Sequence, residues 1–289
     1  MAKTRRSFLW HAGTFDIKLG AKTLVMGVVN VTPDSFSGDG VLSKYSRDKI
    51  KGLSHALKLA DQGADILDIG GESSRPGAKS VTVDEESVRV VPLITTLVKH
   101  VKVPLSIDTY KPLVARRALE AGASIVNLIK GTPPDKSMIR TVAEFKAGLV
   151  LMHMRGTPVN MQSKTTYKDV LLEVKSEIRD AIDTCKLCGV EKESLVIDPG
   201  IGFAKTTEQN LLLINHLKQF ASMGFPLLVG TSRKSFIGNV LQTGINERLY
   251  GTLASVVLAI AGGAHILRVH NVKEIKQAAA MADAIMAAG

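Results

Sequence analysis

Short apolar runs rich in β-branched residues recur along the chain, and most of them are followed by an amphipathic stretch. Eight runs fit this description, at Leu24–Asn30, Ile66–Gly70, Pro104–Asp108, Ser124–Leu128, Leu149–His153, Leu195–Asp198, Pro226–Gly230 and Ile266–His270. Their apolar character is continuous rather than alternating, which is typical of strands covered on both faces, as in a parallel sheet. The pattern therefore predicts eight buried parallel strands.

The stretches between these runs carry apolar residues at helical spacing. Such helices are predicted at Arg47–Gln62, Lys111–Ala121 and Val170–Leu187, each followed by a glycine that is typical of a helix end. Thr252–Ala261 is apolar nearly all round and is expected to be deeply buried. A strand followed by a helix, repeated eight times, predicts an α/β fold in which residues 1–289 form one (β/α)8 TIM barrel.

Three further segments complete the predicted barrel. Phe15–Leu19 is separated from the first strand by Gly20-Ala21 and predicts an N-terminal β-hairpin that caps the barrel bottom. Val31–Tyr45 and Gly71–Val83 follow the first two strands, are rich in Gly, Ser and Pro, and are too long for ordinary connections. Long loops at the carboxyl ends of barrel strands are where such enzymes place mobile active-site elements.

The composition narrows the classes of partner. Phe8-Leu9-Trp10 is too short for a secretory signal, and Thr252–Ile266 is interrupted and shorter than the ~18 apolar residues of a membrane span, so we expect a cytoplasmic protein without membrane contact. The net charge is +10, but the basic residues are scattered and aromatics make up only 4%. This pattern disfavours nucleic-acid binding and favours a small anionic substrate.

Two cysteines, Cys185 and Cys188, are the only thiols. A zinc site needs two more ligands, and no Cys or His follows within the next twenty residues. The pair also lies at the end of a predicted helix, where thiolates are not favoured. We therefore interpret both cysteines as packing residues.

Polar residues cluster at the carboxyl ends of the predicted strands. They are Asn30, Asp108, Asn127, His153, Asp198, Ser232, Arg233, Lys234, Arg268 and His270. In a barrel these ends meet at one mouth, so residues distant in sequence share one cleft. Two carboxylates and an amide in an apolar cup suit a flat heterocycle with several N–H donors. Arginine binds phosphate oxygens bidentately and an Asn oxygen is a reasonable magnesium ligand, so Arg268, His270 and Asn30 suggest an anion or metal–phosphate corner.

Each of these residues also has a structural interpretation. Asp108 and Asp198 could cap the following helices, since Asp is a preferred cap. Lys234 could be solvated, or could form a Schiff base with a carbonyl substrate. His153 could be a hydrogen-bonded core residue, and His265 is expected to be structural. The functional interpretation depends on their shared position at the mouth.

The motifs at these strand ends resemble those of dihydropteroate synthases. Two long segments carry the resemblance, MGVVNVTPDSFS at 26–37 and DIGGESSRPG at 68–77. Four shorter ones match in order and spacing: SIDT at 106–109, DPGIGF at 198–203, GTSRKS at 230–235 and RVH at 268–270. The resemblance covers about residues 22–287.

The resemblance implies a role for each matching residue. Asp108, Asn127, Asp198 and Lys234 would hold a pterin ring, with Met152 packed on it. Asn30, Arg268 and His270 would bind the pyrophosphate of the substrate and its Mg2+, with Asn30 as the metal ligand. The p-aminobenzoate pocket would be shaped by Phe36, Ser74, Arg75, Pro76, Phe203 and Ser232, with Gly230 beside it. Asp34 would help stabilise the charged intermediate.

The reaction implied by the resemblance joins 6-hydroxymethyl-7,8-dihydropterin pyrophosphate to p-aminobenzoate and is dissociative. Pyrophosphate leaves first, neutralised by Mg2+, Arg268 and His270. A carboxylate in a low-dielectric cup favours nearby positive charge, so Asp108 would stabilise the pterin methylene cation. The resemblance also implies a homodimer.

The chain departs from the usual family pattern at several positions. Leu128 and Asn271 stand where the family usually has Asp, Ile201 and Ala204 replace Phe and Gly, and residues 37–40 read SGDG rather than SDGG. Ile201 and the first loop belong to the region of the p-aminobenzoate pocket. These changes suggest an altered response to sulfonamides, which resemble p-aminobenzoate.

Three other functions remain open at the level of sequence. The first is a pterin-binding methyltransferase with the same barrel, although it would not need the Ser232-Arg233-Lys234 element. The second is a Schiff-base aldolase with Lys234 as nucleophile. The third is a pterin binder without turnover, which the Leu128 and Asn271 changes would permit.

Overall fold

The computed structural model describes residues 5–31, 41–74 and 77–288, with the main chain alone at 41–49. Eight parallel strands form one sheet in the order β8-β7-β6-β5-β4-β3-β10-β9. Their bounds are β3 Leu24–Asn30, β4 Ile66–Gly70, β5 Leu105–Asp108, β6 Ile125–Leu128, β7 Gly148–Met152, β8 Leu195–Asp198, β9 Leu228–Val229 and β10 Ile266–Val269. A parallel bridge between Ile197 and Leu227 joins β8 to the segment before β9 and closes the sheet. The predicted barrel is confirmed.

Helices follow every strand of the barrel. They are α1 Val41–Asp61, α2 Val83–Leu97, α3 Pro112–Glu120, α4 Lys136–Glu144, α5 Val170–Leu187, α6 Thr207–Asn215, α7 Lys218–Ala221, α8 Ser235–Leu241, α9 Leu249–Ala261 and α10 Val272–Ala287. Within the described part of the chain, none of them combines the length and apolar character that crossing a bilayer requires.

Alternation along the strands separates two apolar layers. Outward-facing strand residues such as Val29, Ile69 and Leu128 join the helices in one large buried cluster. Inward-facing residues near the strand starts, such as Met26 and Ile66, form a second cluster inside the barrel. Because side chains alternate between faces, the next inward positions toward the carboxyl ends are the polar ones. The barrel interior is therefore apolar at its base and polar at its mouth.

A hairpin closes the base, as predicted, but its partner strand differs from the expectation. β2 (Phe15–Leu19) pairs antiparallel with β1 (Phe8–Ala12) and not with the first barrel strand. Gly13 has a φ of 60° in the turn between them. Trp10 is fully buried and joins the apolar cluster inside the barrel, and its indole N–H donates to the Ser194 carbonyl at 2.9 Å.

Two other expectations need correction. α1 begins at Val41, inside the segment predicted to be a loop. α9 is buried only on one face, because Tyr250 is 80% exposed and Leu258 is 61% exposed. An apolar helix in the outer ring of a barrel has only one neighbouring layer to cover it, so uniform apolarity did not imply full burial.

The interpretation of the cysteines as packing residues fits the surroundings of Cys185. Its thiol is fully buried in the outer apolar layer, and burial raises its pKa to about 12. Cys185 therefore stays a neutral thiol at physiological pH.

Lys146 offers a clean test of backbone strain in this fold. It follows α4 with a φ of 49°, and its side chain is exposed. A left-handed residue after a helix favours glycine, so we expect Lys146→Gly to raise the free energy of unfolding by about 0.5–1 kcal/mol. Urea denaturation measures this difference. Lys186→Gly, inside α5, is the opposite-sign control and should lower it by about 1 kcal/mol.

Candidate active site

Six strands place polar side chains at or near their carboxyl ends, toward the barrel mouth. Asp68 on β4, Asp108 on β5, Asn127 on β6 and Asp198 on β8 are all buried, and Asn30 on β3 and Arg268 on β10 are partly exposed beside them. Parallel pairing sets Asp108 directly opposite Asn127 and Met152 opposite Asp198. The cup predicted from scattered strand ends is therefore assembled by the register of the sheet.

Arg268 is the centre of the polar contacts. Its Nε donates to Asp68 Oδ2 at 2.6 Å, and a terminal nitrogen donates to Asp108 Oδ2 at 2.5 Å. Asn127 Nδ2 donates to the same Asp68 oxygen at 2.9 Å. The Arg268 guanidinium therefore links β10 to β4 and β5. The Asn127 amide links β6 to β4 through the same Asp68 oxygen.

The second oxygen of each carboxylate is left without a partner. Asp68 Oδ1 and Asp108 Oδ1 are buried and accept no hydrogen bond from any described residue. Buried acceptors are almost always satisfied in folded proteins, so two such oxygens in one cup point to a ligand with N–H donors.

The electrostatics of the cup follow from burial. Burial raises the pKa of Asp108 to about 7. The positive charge of Arg268 lowers this pKa, and the negative charge of Asp68 raises it further. Burial also raises the pKa of Asp198, and the Lys234 ammonium counteracts it. Carboxylates with raised pKa values in a cleft are candidates for function.

Lys234 reaches the cup from the loop after β9. Although the residue as a whole is partly exposed, its ammonium lies within the cup, where burial lowers its pKa to about 8 against the opposing charge of Asp198. The ammonium donates to the Ile201 carbonyl and lies 4.5 Å from the centroid of the Phe203 ring. The solvated interpretation of Lys234 is therefore wrong.

Around the ammonium, the chain leaves little room for side chains. Gly202 has a φ of 85°, and a Cβ there would lie 2.7 Å from Lys234 Cδ. A Cβ on Gly230 would lie 3.7 Å from Lys234 Nζ and 3.6 Å from Arg268 Cβ. Met152 and Phe203 are buried in one small apolar cluster beside this cup.

Ser232 and His270 form a neighbouring pair. Ser232 Oγ lies 3.0 Å from His270 Nδ1 and accepts from the His270 main-chain N–H at 3.2 Å. Asn30 Oδ1 and Asp108 Oδ2 each lie 3.6 Å from the place a Cβ on Gly70 would occupy. The expected anion corner is thus divided: Arg268 joins the carboxylates, His270 joins Ser232, and Asn30 lies close to Asp108.

Comparisons with known proteins identify the family of this chain. The sequence pattern of the family described as pterin binding enzyme matches residues 26–270. A dihydropteroate synthase from Synechocystis is 45% identical over 92% of this chain and 91% of its own. The dihydropteroate synthase of Clostridium difficile, solved in the presence of pteroic acid, is 42% identical with a TM-score of 0.85 and coverage of 95% and 98%. That of Xanthomonas albilineans, solved with 4-aminobenzoic acid, is 40% identical with a TM-score of 0.85 and coverage of 93% and 96%.

The chain belongs to the dihydropteroate synthase family. The described residues of its signature segments lie in the barrel strands and just after them, on the side of the barrel mouth. Four expected site residues, Asp34, Phe36, Arg75 and Pro76, lie outside the described residues. Ser74 is described just after β4 and is partly exposed.

The alternative helix-cap interpretation of the two site aspartates is wrong. α3 is preceded by Lys111 at its cap position, and α6 is capped by Thr206. Asp198 instead accepts from the Gly200 N–H at 2.7 Å, which folds the loop after β8.

Among the described residues, the departures from the dihydropteroate synthase pattern have side chains mostly outside the cup; the changed positions 37–40 lie outside the described residues. The side chains of Leu128 and Ile201 are buried in the outer apolar layer. Asn271 Oδ1 accepts from Arg233 Nε at 3.1 Å and from a terminal nitrogen at 2.8 Å. Ala204 has a φ of 50°, in the left-handed region where glycine is unstrained. Ala204 packs in the same apolar cluster as Phe203 and Met152, and the main-chain carbonyl of Ile201 reaches the cup at Lys234.

Two residues of the site were missed from the sequence. Asp68 lies in the middle of a strand that is otherwise apolar, and a carboxylate in such a strand was the available signal. Lys205 follows the DPGIGF segment and is 3% exposed, in contact with His153. Nothing in its sequence neighbourhood distinguishes Lys205 from a surface lysine.

His153 is fully buried and hydrogen-bonded, and His265 bonds main-chain groups, which fits the structural interpretation of each.

Proposed function

We propose that the protein joins 6-hydroxymethyl-7,8-dihydropterin pyrophosphate to p-aminobenzoate, giving 7,8-dihydropteroate and pyrophosphate. The observation that carries this proposal is the pair of buried, unpartnered oxygens on Asp68 and Asp108. Membership of the dihydropteroate synthase family supports it. So does the chemistry of the molecules seen with relatives, since pteroic acid contains both a pterin and an aminobenzoate unit.

The pterin is held by the cup. Its amino and ring N–H groups donate to the free carboxylate oxygens, while Asn127 both donates and accepts. Asp198 accepts from the opposite edge, and Lys234 donates to a ring oxygen or nitrogen. Met152, which is buried on β7, packs against the ring face.

The bond from the pterin methylene carbon to the pyrophosphate oxygen breaks first, leaving a cation on the pterin. Asp108 lies in a low-dielectric cup, and its negative charge favours positive charge beside it. The arylamine nitrogen then forms the new bond and loses a proton to water or to the released pyrophosphate. No strong base is needed, because an aniline nitrogen is already nucleophilic toward a cation.

Mg2+ fits this site in a limited way. The described residues contain no cluster of three His, Cys, Asp or Glu side chains suited to a metal. Mg2+ is commonly held by one or two protein oxygens together with substrate phosphates and water, and Asn30 Oδ1 supplies one such oxygen at the mouth. When bound, the ion would neutralise the leaving pyrophosphate, Arg268 would add positive charge, and His270 would bind the pyrophosphate.

The second substrate binds at the outer rim of the cup. The Phe203 ring provides an apolar wall, and Ser232 a hydroxyl, while Ser74, Arg75, Pro76 and Phe36 would complete the pocket from the two long loops. Closure of these loops over the substrates would exclude the water that could otherwise trap the cation. Asp34 is proposed to act on the same cation from the first loop.

Pyrophosphate release from the pterin pyrophosphate with Mg2+, with and without p-aminobenzoate, tests the proposal. Release coupled to dihydropteroate formation supports it, and no release from a folded protein contradicts it. Borohydride trapping with a carbonyl substrate is run alongside. A covalent adduct on Lys234 would favour the aldolase interpretation instead.

An altered response to sulfonamides stays a prediction, and Ala204 gives the sharpest test. Ala204 carries a left-handed φ and packs with Phe203. We expect Ala204→Gly to shift the ring and change the sulfonamide inhibition constant by at least about threefold, a fraction of a kcal/mol. Steady-state inhibition measures this. Equal constants for the two proteins would contradict it.

We also propose that two copies of this chain form a homodimer through the C-terminal helices. Tyr250 and Leu258 on α9 and Met281 and Ile285 on α10 are each more than 60% exposed, and α9 packs on α10. Clustered exposed apolar side chains mark interaction surfaces. Light scattering is expected to give twice the chain mass for the wild type and a monomer for Leu258→Glu; a monomeric wild type would contradict the proposal.

A further inference from the structure

The loop between β8 and α6, residues 199–206, presents groups to Lys234 from two of its positions. The Ile201 carbonyl accepts from the ammonium, and the Phe203 ring lies 4.5 Å from it. The start of the loop is fixed by the Asp198 carboxylate, which accepts from the Gly200 N–H. A small shift of this loop therefore displaces Lys234 and the Phe203 wall together.

Lys205 is itself part of this loop, and its side chain bonds main-chain carbonyls of the loop. Its ammonium donates to the Phe203 carbonyl at 2.9 Å and to the Gly200 carbonyl at 3.1 Å, and lies 3.0 Å from His153 Nδ1. An ammonium has three N–H donors, so these contacts use all of them. The two carbonyls lie on either side of Ile201 in sequence, which means that one side chain clamps both ends of the segment facing Lys234.

The Nδ1 atom of His153 can accept a hydrogen bond from Lys205. Its Nε2 lies 3.1 Å from Glu177 Oε2 on α5, so the proton belongs on Nε2 and Nδ1 carries the lone pair. Burial, followed by the charge of Lys205, lowers the pKa of His153 to about 4. His153 is therefore neutral at physiological pH, and its tautomer is set by Glu177, which Arg155 Nε holds at 2.9 Å.

A second, weaker tie acts on the same loop. The Tyr167 hydroxyl donates to the Ala204 carbonyl at 3.1 Å. Arg155 lies over the Tyr167 ring at 4.0 Å from its centroid. Arg155 therefore contacts both Tyr167, which bonds Ala204, and Glu177, which bonds His153. The loop is thus anchored on the segment that follows β7 at two successive residues, Ala204 and Lys205.

We infer that Lys205 is a positioning residue for the proposed reaction: it fixes loop 199–206 so that the Ile201 carbonyl and the Phe203 ring are presented to Lys234. Lys205 does not contact the described cup residues Asp68, Asp108 or Arg268 through any hydrogen bond, and it acts through the loop. This inference rests on the proposed function, because its readout is the Michaelis constant for p-aminobenzoate.

Lys205→Met keeps the length of the side chain and removes the clamp. We expect the KM for p-aminobenzoate to rise about tenfold and kcat to fall much less, since a misplacement of a binding wall by a fraction of an ångström is costly. In a Phe203→Ala background, Lys205→Met should add little, because the ring it positions is gone. Independent effects that multiply in the double variant would overturn the inference.

Two further variants make the test robust. Tyr167→Phe removes only the weaker tie and should raise the same KM in the same direction by a smaller factor; it decides the matter if Lys205→Met does not fold. Lys276→Met removes a lysine bonded to Asp65 at 2.8 Å at the far end of the barrel and should leave KM unchanged.

If the wild type turns over but both loop variants match its KM, the inference fails while the proposed function stands. If the wild type makes no dihydropteroate, the proposed function itself fails.

Discussion

Asp108→Asn is expected to lower kcat by about 10²–10³-fold while changing the KM for pterin pyrophosphate much less. The substitution keeps the shape and the contact to Arg268 but removes the negative charge beside the developing cation. Interactions present only in the transition state affect kcat, whereas uniform binding affects KM. Steady-state kinetics with both substrates measures the split.

Ser106→Ala is the matched control for this variant. Ser106 lies on the same strand, faces the barrel interior two residues before Asp108, and its hydroxyl has no partner among the described residues. Losing it should leave kcat unchanged. Equal losses of kcat and pterin affinity in Asp108→Asn would indicate a role in binding alone.

The pH dependence of turnover gives an independent view of Asp108. Burial raises its pKa to about 7, so the carboxylate becomes neutral as the pH falls below that value. The wild-type kcat/KM for pterin pyrophosphate, which reports groups of the free enzyme, should therefore decline on the acidic side of neutrality, and Asp108→Asn should lack this decline. An acidic limb of the same midpoint in the variant would assign the limb to another group.

Arg268→Met is expected to lower the free energy of unfolding by about 3–5 kcal/mol. The guanidinium is the partner of both Asp68 and Asp108, and removing it leaves two buried carboxylates side by side without a cation. Chemical denaturation at pH 7 measures the loss. Lys276→Met is the control, because its pair with Asp65 is partly exposed and is expected to contribute about 1 kcal/mol or less.

The sign of the pH effect distinguishes charge from packing in this variant. The folded-state pKa of Asp108 is already raised by burial, and losing Arg268 raises it further. A group with a raised folded pKa contributes stability at low pH that is lost as the pH rises through the folded value. The defect of Arg268→Met should therefore shrink from pH 8 toward pH 5. A loss independent of pH would point to the missing side-chain volume.

The sequence predicted the barrel well because continuous apolar strands are a direct consequence of burial on both faces. Predicted and observed strand bounds agree within two residues. The hairpin partner was missed because Phe8-Leu9-Trp10 is a short run whose role depends on the barrel base it fills. The outer face of α9 was misjudged because apolarity alone does not tell whether a helix is covered by its own chain.

The candidate site was predicted in its residue types but not in its pairings. Asp108, Asn127, Asp198 and Lys234 meet at the mouth because strand ends converge in any barrel. The division of Arg268 from His270 depends on side-chain directions, which the sequence does not carry. Asp68 and Lys205 were missed for opposite reasons, since one lies within an apolar strand and the other resembles a surface lysine.

Trp10, which fills the barrel base, is the only tryptophan in the chain. Its emission therefore reports the end of the barrel opposite to the mouth. Thermal unfolding followed by fluorescence and by loss of turnover monitors the two ends separately. Coincident transitions would show that the barrel melts as one cooperative unit, and an earlier loss of turnover would show that the mouth loosens while the base is still closed.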